Sequence, residues 1–244
     1  MKATLHLQFI NSEQFRLWFL QDKIFRSPKA ELNLRFKLPV LNGSVENVAK
    51  TELFVALLLD QLNEYAHPAR LAGLHYHIDA NSRGFDVNVS GYTDRQSLLV
   101  NKIVEAIAKA NFTESRFDKI KEDLMREWRN EDKEFPYDVV INKISRLQYM
   151  PSWTTPEYAE GLKKATFEQF KPYAAELLRG AKIEALFYGN LYSQDAIKLA
   201  ALIDHQLLQK RSSRIPQMAK VIRVENKENK SWLYVNPGYQ NDHV

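Results

Sequence analysis

The sequence predicts an α+β fold in two layers, an antiparallel sheet with helices packed on one face. Three observations point to it. Several short segments alternate apolar and polar residues with the period of two expected of half-buried strands, as in AELNLRFKL (30–38), LHYHIDAN (74–81) and GFDVNVSG (84–91). Between them lie longer stretches with helical periodicity, the longest holding LFVALLLDQLNEYAHPARLAG (53–73). Two of the alternating segments follow each other across Asn81-Ser82-Arg83-Gly84, which reads as a hairpin loop.

Residues 1–14 are polar and read as an N-terminal extension. Phe15–Leu20 reads as a strand, followed by a loop in which Pro28 stops any local helix. From Ala30 to Leu38 one face carries Leu32, Leu34, Phe36 and Leu38, and the other Glu31, Asn33, Arg35 and Lys37. Pro39 and the turn Leu41-Asn42-Gly43 end this strand. Ser44 caps the long helix, with Glu46 and Glu52 near its positive end. Leu53–Leu59 is apolar all round, which implies burial on more than one side. Pro68 is expected to end or bend the helix after Ala66, and Gly73 to turn the chain into the hairpin. There Leu74, Tyr76, Ile78 and Ala80 share one face, with His75, His77 and Asp79 opposite. Phe85, Val87 and Val89 alternate in the same way with Asp86, Asn88 and Ser90.

The second half is richer in helix. Thr93 or Asp94 caps a helix from Arg95 to Ala110, whose apolar face is Leu98, Leu99, Ile103, Ile107 and Ala110. Thr113 caps the next, with the stripe Phe117, Ile120, Leu124 and Trp128. Its charged flank carries Arg126, Arg129 and Lys133 beside Glu127, Glu131 and Asp132. After Pro136 a helix presents Val139, Val140, Ile144 and Leu147. Met150–Trp153 is a loop, and Pro156–Leu162 a short helix. Thr166 and Gln169 match a capping box for a helix to Leu178, stopped at Gly180. Ile183–Tyr188 is a further strand, and Ser193 caps a helix from Gln194 to Lys210. The main domain is thus assigned to residues 15–210, with a polar linker at 211–230. Ser231–Asn236, within 231–244, reads as the first strand of a following, absent domain.

Composition narrows the function. The apolar fraction of 45% and charged fraction of 26% are those of an ordinary soluble globular protein. The 34 Lys and Arg are interleaved with 30 Asp and Glu, so no basic tract points to nucleic acid or a membrane surface. No run of the sequence is apolar enough to span a bilayer. Without cysteine there are no disulfides, thiolate ligands or thiol nucleophiles, which suits a cytoplasmic or bacterial periplasmic setting without choosing between them.

Chemistry-bearing patterns are scarce. Neither His-Glu-x-x-His nor His-x-x-Glu-His occurs, nor Gly-x-Ser-x-Gly, nor a phosphate-binding loop. His75 and His77, two apart on one strand face with Asp79 and Asp86 near, are the best metal-ligand candidates and would make the chain a hydrolase in its own right. The plain reading of that face is the wetted side of a sheet. Glu64, at the end of a buried helix, is read as a buried carboxylate paired with Arg70 or a backbone end rather than as an acid or base. Phe15, Trp18, Phe19 and Phe25 are read as core. The residues themselves show no competent catalytic site.

PKAELNLRF, LNEYAHPARLAGLHYHI, GFDVNVSGYTDRQ and IEALFYGNL, in that order, resemble the third domain of the large insulinase and pitrilysin zinc metallopeptidases, the inverted zincins. The likeness covers Phe15 to Leu208. It implies a non-catalytic domain that builds the wall of a peptide-enclosing chamber and packs against the other domains. Aligning Glu64 with the family's motif glutamate puts Gln61 and Tyr65 where the two histidines would stand. No cofactor is then expected in this chain, and zinc belongs to the catalytic domain of the parent enzyme. The implied partners are the other domains of that peptidase and peptide substrates. A homo-oligomer is a further candidate, since truncation would leave apolar surface uncovered. A freestanding interaction scaffold without proteolytic activity is the alternative. The candidate face for peptide or a neighbouring domain is Glu31, Asn33, Arg35, Lys37, His75, His77, Asp79, Asp86 and Asn88.

Overall fold

A computed structural model describes residues 8–130 and 136–209, with 212, 214–216, 218 and 220–221 beyond them. Its centre is a six-stranded sheet: β1 (Gln8–Asn11), β2 (Phe15–Gln21), β3 (Lys29–Lys37), β4 (Leu74–Asn81), β5 (Gly84–Tyr92) and β7 (Lys182–Gly189), in the order β1-β2-β7-β3-β5-β4. All pairings are antiparallel except β2 with β7, which is parallel. Strands β6 (Tyr149–Met150) and β8 (Lys220–Val221) form a separate two-stranded ribbon. The helices are α1 (Val45–Leu71), α2 (Thr93–Lys109), α3 (Glu114–Arg129), α4 (Pro136–Gln148), α5 (Thr155–Lys163), α6 (Phe167–Glu176) and α7 (Ser193–Leu207).

The alternation of the strands determines which side is covered. Register sets Leu32 between Val89 and Phe187, and Phe36 between Phe85 and Ile183. All six are buried, so one sheet face is apolar and takes the helices. Aromatic rings carry the core outward from there. Phe36 stacks on Phe85 at 4.3 Å, and Phe54 of α1 lies 6.1 Å from Phe85. Phe112 meets Phe54 edge-on at 5.6 Å and leads to Phe170 and Phe117.

Helix starts follow three of the expected capping residues. Ser44 accepts from Asn47 N–H at 3.2 Å, Thr113 accepts from Arg116 N–H, and Thr166 with Gln169 forms the reciprocal capping box. Two expected caps are displaced. Helix α2 begins at Thr93 and α7 at Ser193, with Tyr92 and Tyr192 at the N-cap and no side-chain cap bond at either.

Other expectations are corrected. Helix α1 continues through Pro68 to Leu71. Beyond Leu62 the helix is largely exposed, so water can reach the Glu64 carbonyl that a proline nitrogen cannot serve. The Pro68 carbonyl also accepts from Ala72 N–H, which closes the last turn. Gly73 then has φ +69°, and a Cβ there would stand 2.5 Å from the Tyr92 ring. Leu98 is 60% exposed, because α2 buries Leu99, Val100, Ile103, Val104 and Ile107 on a face turned away from it. Phe25 is 81% exposed, held in a turn where the Asp22 carboxylate accepts from the N–H groups of Ile24 and Phe25. Gln8–Asn11 supplies an edge strand from within the polar N-terminal stretch. The strand expected at Ser231–Asn236 lies outside the described residues. Among the described residues no helix is long and apolar enough to cross a membrane.

Candidate functional site: the polar face of the sheet

The sheet has a second face, which the helices of the described residues leave open. Because side chains alternate along each strand, the residues between the buried ones all project there. Register lines them up in rows across the strands. Arg35 stands between Asp86 and Glu184, with Asp79 next beyond Asp86. Asn33 stands between Asn88 and Leu186, with His77 beyond Asn88. Glu31 stands between Ser90 and Tyr188, with His75 beyond Ser90. Register and alternation put Glu31, Asn33, Arg35, Lys37, His75, His77, Asp79, Asp86 and Asn88 on this side of the sheet.

Polar contacts knit these rows. The Arg35 guanidinium donates to both Asp86 oxygens, at 3.1 and 3.2 Å, and this pairing raises the pKa of Arg35 further. Lys37 Nζ pairs with Glu184 at 2.6 Å. Asn88 Nδ2 donates to Asn33 Oδ1 at 2.6 Å. A hollow of about 340 Å³ is lined by Trp18, Asn33, Arg35, Asp86, Asn88, Glu184 and Leu186. A second, of about 570 Å³, lies nearer the other end of the strands, between His75, Glu31, Phe25, Tyr92 and Tyr188. Trp18, Glu184, Leu186 and Tyr188 were missing from the face as read from sequence. The alternation of β2 and β7 marks them as outward-facing, but nothing local says that β7 lies between β2 and β3.

The two histidines do not converge on one point. His77 Nε2–H donates to Asp79 Oδ2 at 2.6 Å, while His75 lines the hollow beside Tyr92. Among the described residues no group of three or more His, Asp or Glu side chains is placed to hold a metal ion. Gln61, Glu64 and Tyr65 all lie on the exposed side of α1. This corrects the reading of Glu64 as a buried carboxylate: it accepts from the Tyr65 hydroxyl, which raises the pKa of that tyrosine. An amide, a lone carboxylate and a phenol are not a zinc donor set, so the residues present do not fit the metal.

The helix layer holds a third, separate cleft, of about 550 Å³, between α1, the tip of the β4–β5 hairpin, α4 and the loop after it. Glu52 lines it. Burial, with Asp79 and Glu127 nearby, pushes the Glu52 carboxyl up to about 7. No local pattern announces this grouping, since the three carboxylates belong to three different elements.

A family model describing the middle or third domain of peptidase M16 matches residues 6–161. Over 194 residues the chain is 36% identical to insulin-degrading enzyme of Homo sapiens, an overlap of 80% of this chain and 19% of that protein. The Drosophila melanogaster insulin-degrading enzyme is 28% identical over 248 residues, or 94% of this chain and 25% of that one. Among solved structures, pitrilysin superposes with a TM-score of 0.77 at 23% identity, over 85% of this chain and 22% of that one. An inactive peptidase M16 domain from Pseudomonas fluorescens gives 0.61 at 17% identity, over 87% of this chain and 52% of that one. Sequence and fold agree: the chain belongs to the peptidase M16 family, the insulinase and pitrilysin metallopeptidases, as its middle or third domain.

Proposed function

We propose that this chain acts as a non-catalytic domain of an insulinase-type zinc metallopeptidase, forming part of the wall that encloses peptide and part of the contact with neighbouring domains. The observation that carries this reading is the match of residues 6–161 to the family's middle domain, on a sequence in which neither His-Glu-x-x-His nor His-x-x-Glu-His occurs. In this reading zinc stays in the catalytic domain of the parent enzyme, and the polar sheet face is the side turned to peptide. Helix α4 supports the domain-contact part. Val140, Ile141, Ile144 and Leu147 are each about half exposed, a row of apolar side chains suited to a neighbour.

The test has two arms. Fluorogenic peptides of varied length are incubated with the chain, with added zinc and with a chelator, and no turnover is expected in any condition. The chain is then mixed with the zinc-bearing half of a family peptidase, where co-migration on a sizing column and increased turnover are expected. Chelator-sensitive cleavage by this chain alone, lost in His75→Ala or His77→Ala, would overturn the reading.

A further inference from the structure

We propose that the free edge of β4 takes up an extended peptide segment by strand addition, with a lysine or arginine side chain of that segment entering the cleft beside Glu52. The inference deepens the peptide-enclosing role and rests on it for the source of the segment, a peptide supplied in trans.

Among the described residues the outer edge of β4 is open. Strand β4 ends the sheet order. Tyr92 N–H donates to the Gly73 carbonyl, and register pairs His75 with Ser90, His77 with Asn88, Asp79 with Asp86 and Asn81 with Gly84. In an antiparallel ladder bonded and non-bonded pairs alternate. The odd-numbered residues of β4 therefore bond inward to β5, and Tyr76, Ile78 and Ala80 turn their N–H and C=O groups outward. Among the described residues no hydrogen bond reaches those outward groups. Unpaired strand edges of this kind are what an extended peptide pairs with.

Charge selects the side chain. The Glu52 cleft is bordered by Ala80 and Asn81, the end of that same edge. Alternate residues of an added strand would face the helix layer and reach it. Glu52 makes no hydrogen bond or ion pair among the described residues and is half-buried in the wall of this cleft. Asp79 of β4 and Glu127 of α3 act on it, both negative. Arg83 and Arg146 also line the cleft but are not among the groups that shift its carboxyl, and Tyr149 and Tyr158 are the other titratable groups there. A half-buried carboxylate beside two like charges and without a partner is unfavourable, and an incoming ammonium or guanidinium supplies one. Trp153 and Tyr158, with rings 6.4 Å apart, offer apolar surface to the aliphatic stem.

The probe is a short fluorescein-labelled peptide of alternating threonine and valine with one central lysine, followed by fluorescence polarisation against the folded chain. At about pH 8, with Glu52 ionised, it is expected to bind about tenfold more tightly than the same peptide carrying norleucine. That advantage should vanish in Glu52→Gln and at about pH 5.5, where Glu52 is protonated. N-methylation of alternate peptide amides should abolish binding to the unaltered chain, a readout that needs no variant to fold. Equal binding of the lysine and norleucine peptides, an advantage that survives in Glu52→Gln, or indifference to N-methylation would each overturn the proposal. Co-migration with the zinc-bearing half without peptide binding would remove the β4 site alone. Peptide binding without co-migration would keep the site and remove the chamber role.

Discussion

Gln96 of α2 reaches under the sheet and donates from Nε2 to the Ala30 carbonyl at 2.8 Å, tying the first long strand to a helix that starts only after the hairpin. The same nitrogen lies 3.4 Å from the Val89 carbonyl, and the whole side chain is buried. Gln96→Met keeps the bulk and deletes the donor, leaving a buried strand carbonyl without it. A loss of about 1–3 kcal/mol is expected, read from the shift of the urea midpoint at unchanged slope.

Gly84 opens β5 in a space that admits no side chain. A Cβ there would fall 1.8 Å from the Phe36 carbonyl oxygen, which is main chain and cannot rotate aside. Gly84→Ala therefore has to push β5 from β3, and a loss of about 1–3 kcal/mol is expected from the thermal midpoint. Gly43, whose added Cβ would meet nothing within 4 Å, is a control for space, though its φ of +78° retains a conformational cost.

Glu52 sets a pH dependence whose sign follows from its folded-state pKa of about 7 against 4.5 unfolded. The folded chain prefers the protonated form. The stabilisation linked to that proton is complete below about 4.5 and is lost as pH rises through about 7. Glu52→Gln, which cannot ionise, should therefore gain on the parent chain as pH rises from 5 to 8, by about 3 kcal/mol in the limit. Chemical denaturation of both proteins across that range reads the difference. Parallel curves would mean that Glu52 does not titrate in the folded state.

Arg35 and Asp86 offer the opposite case, a two-pronged ion pair on an open face. Their side chains are 53% and 38% exposed, so solvent screens them. A double-mutant cycle with Arg35→Ala and Asp86→Ala is expected to give a coupling of about 0.2–1 kcal/mol, shrinking with added salt. The face would then be set by its backbone register, with its charges free to serve contact.

Most of the sheet was legible because its strands announce their faces. Leu32, Leu34 and Phe36 alternate with Asn33 and Arg35 closely enough to fix which side is buried, and Asn81 to Gly84 brackets the turn. What sequence could not supply was order. Putting β7 between β2 and β3 depends on contacts across more than half the chain, and with it come Trp18 and Glu184 on the polar face. Proline rules misled at Pro68 because solvent there replaces the lost partner. Phe25 misled because an apolar side chain says nothing about a turn made by the Asp22 carboxylate. The Glu52 cleft was hidden for the same reason as the strand order, its charges lying on α1, β4 and α3.

The parallel pairing of β2 with β7 also imposes a timetable. On the side away from β1, Phe15 through Gln21 must wait for Ile183 through Gly189 before their partners exist. On the ribosome the helix and hairpin of residues 45–92 can assemble early, while one side of β2 and one side of β3 remain unpaired until most of the domain has emerged. A chain stalled before Lys182 would carry two exposed strand edges, and chaperone capture should be strongest in that interval.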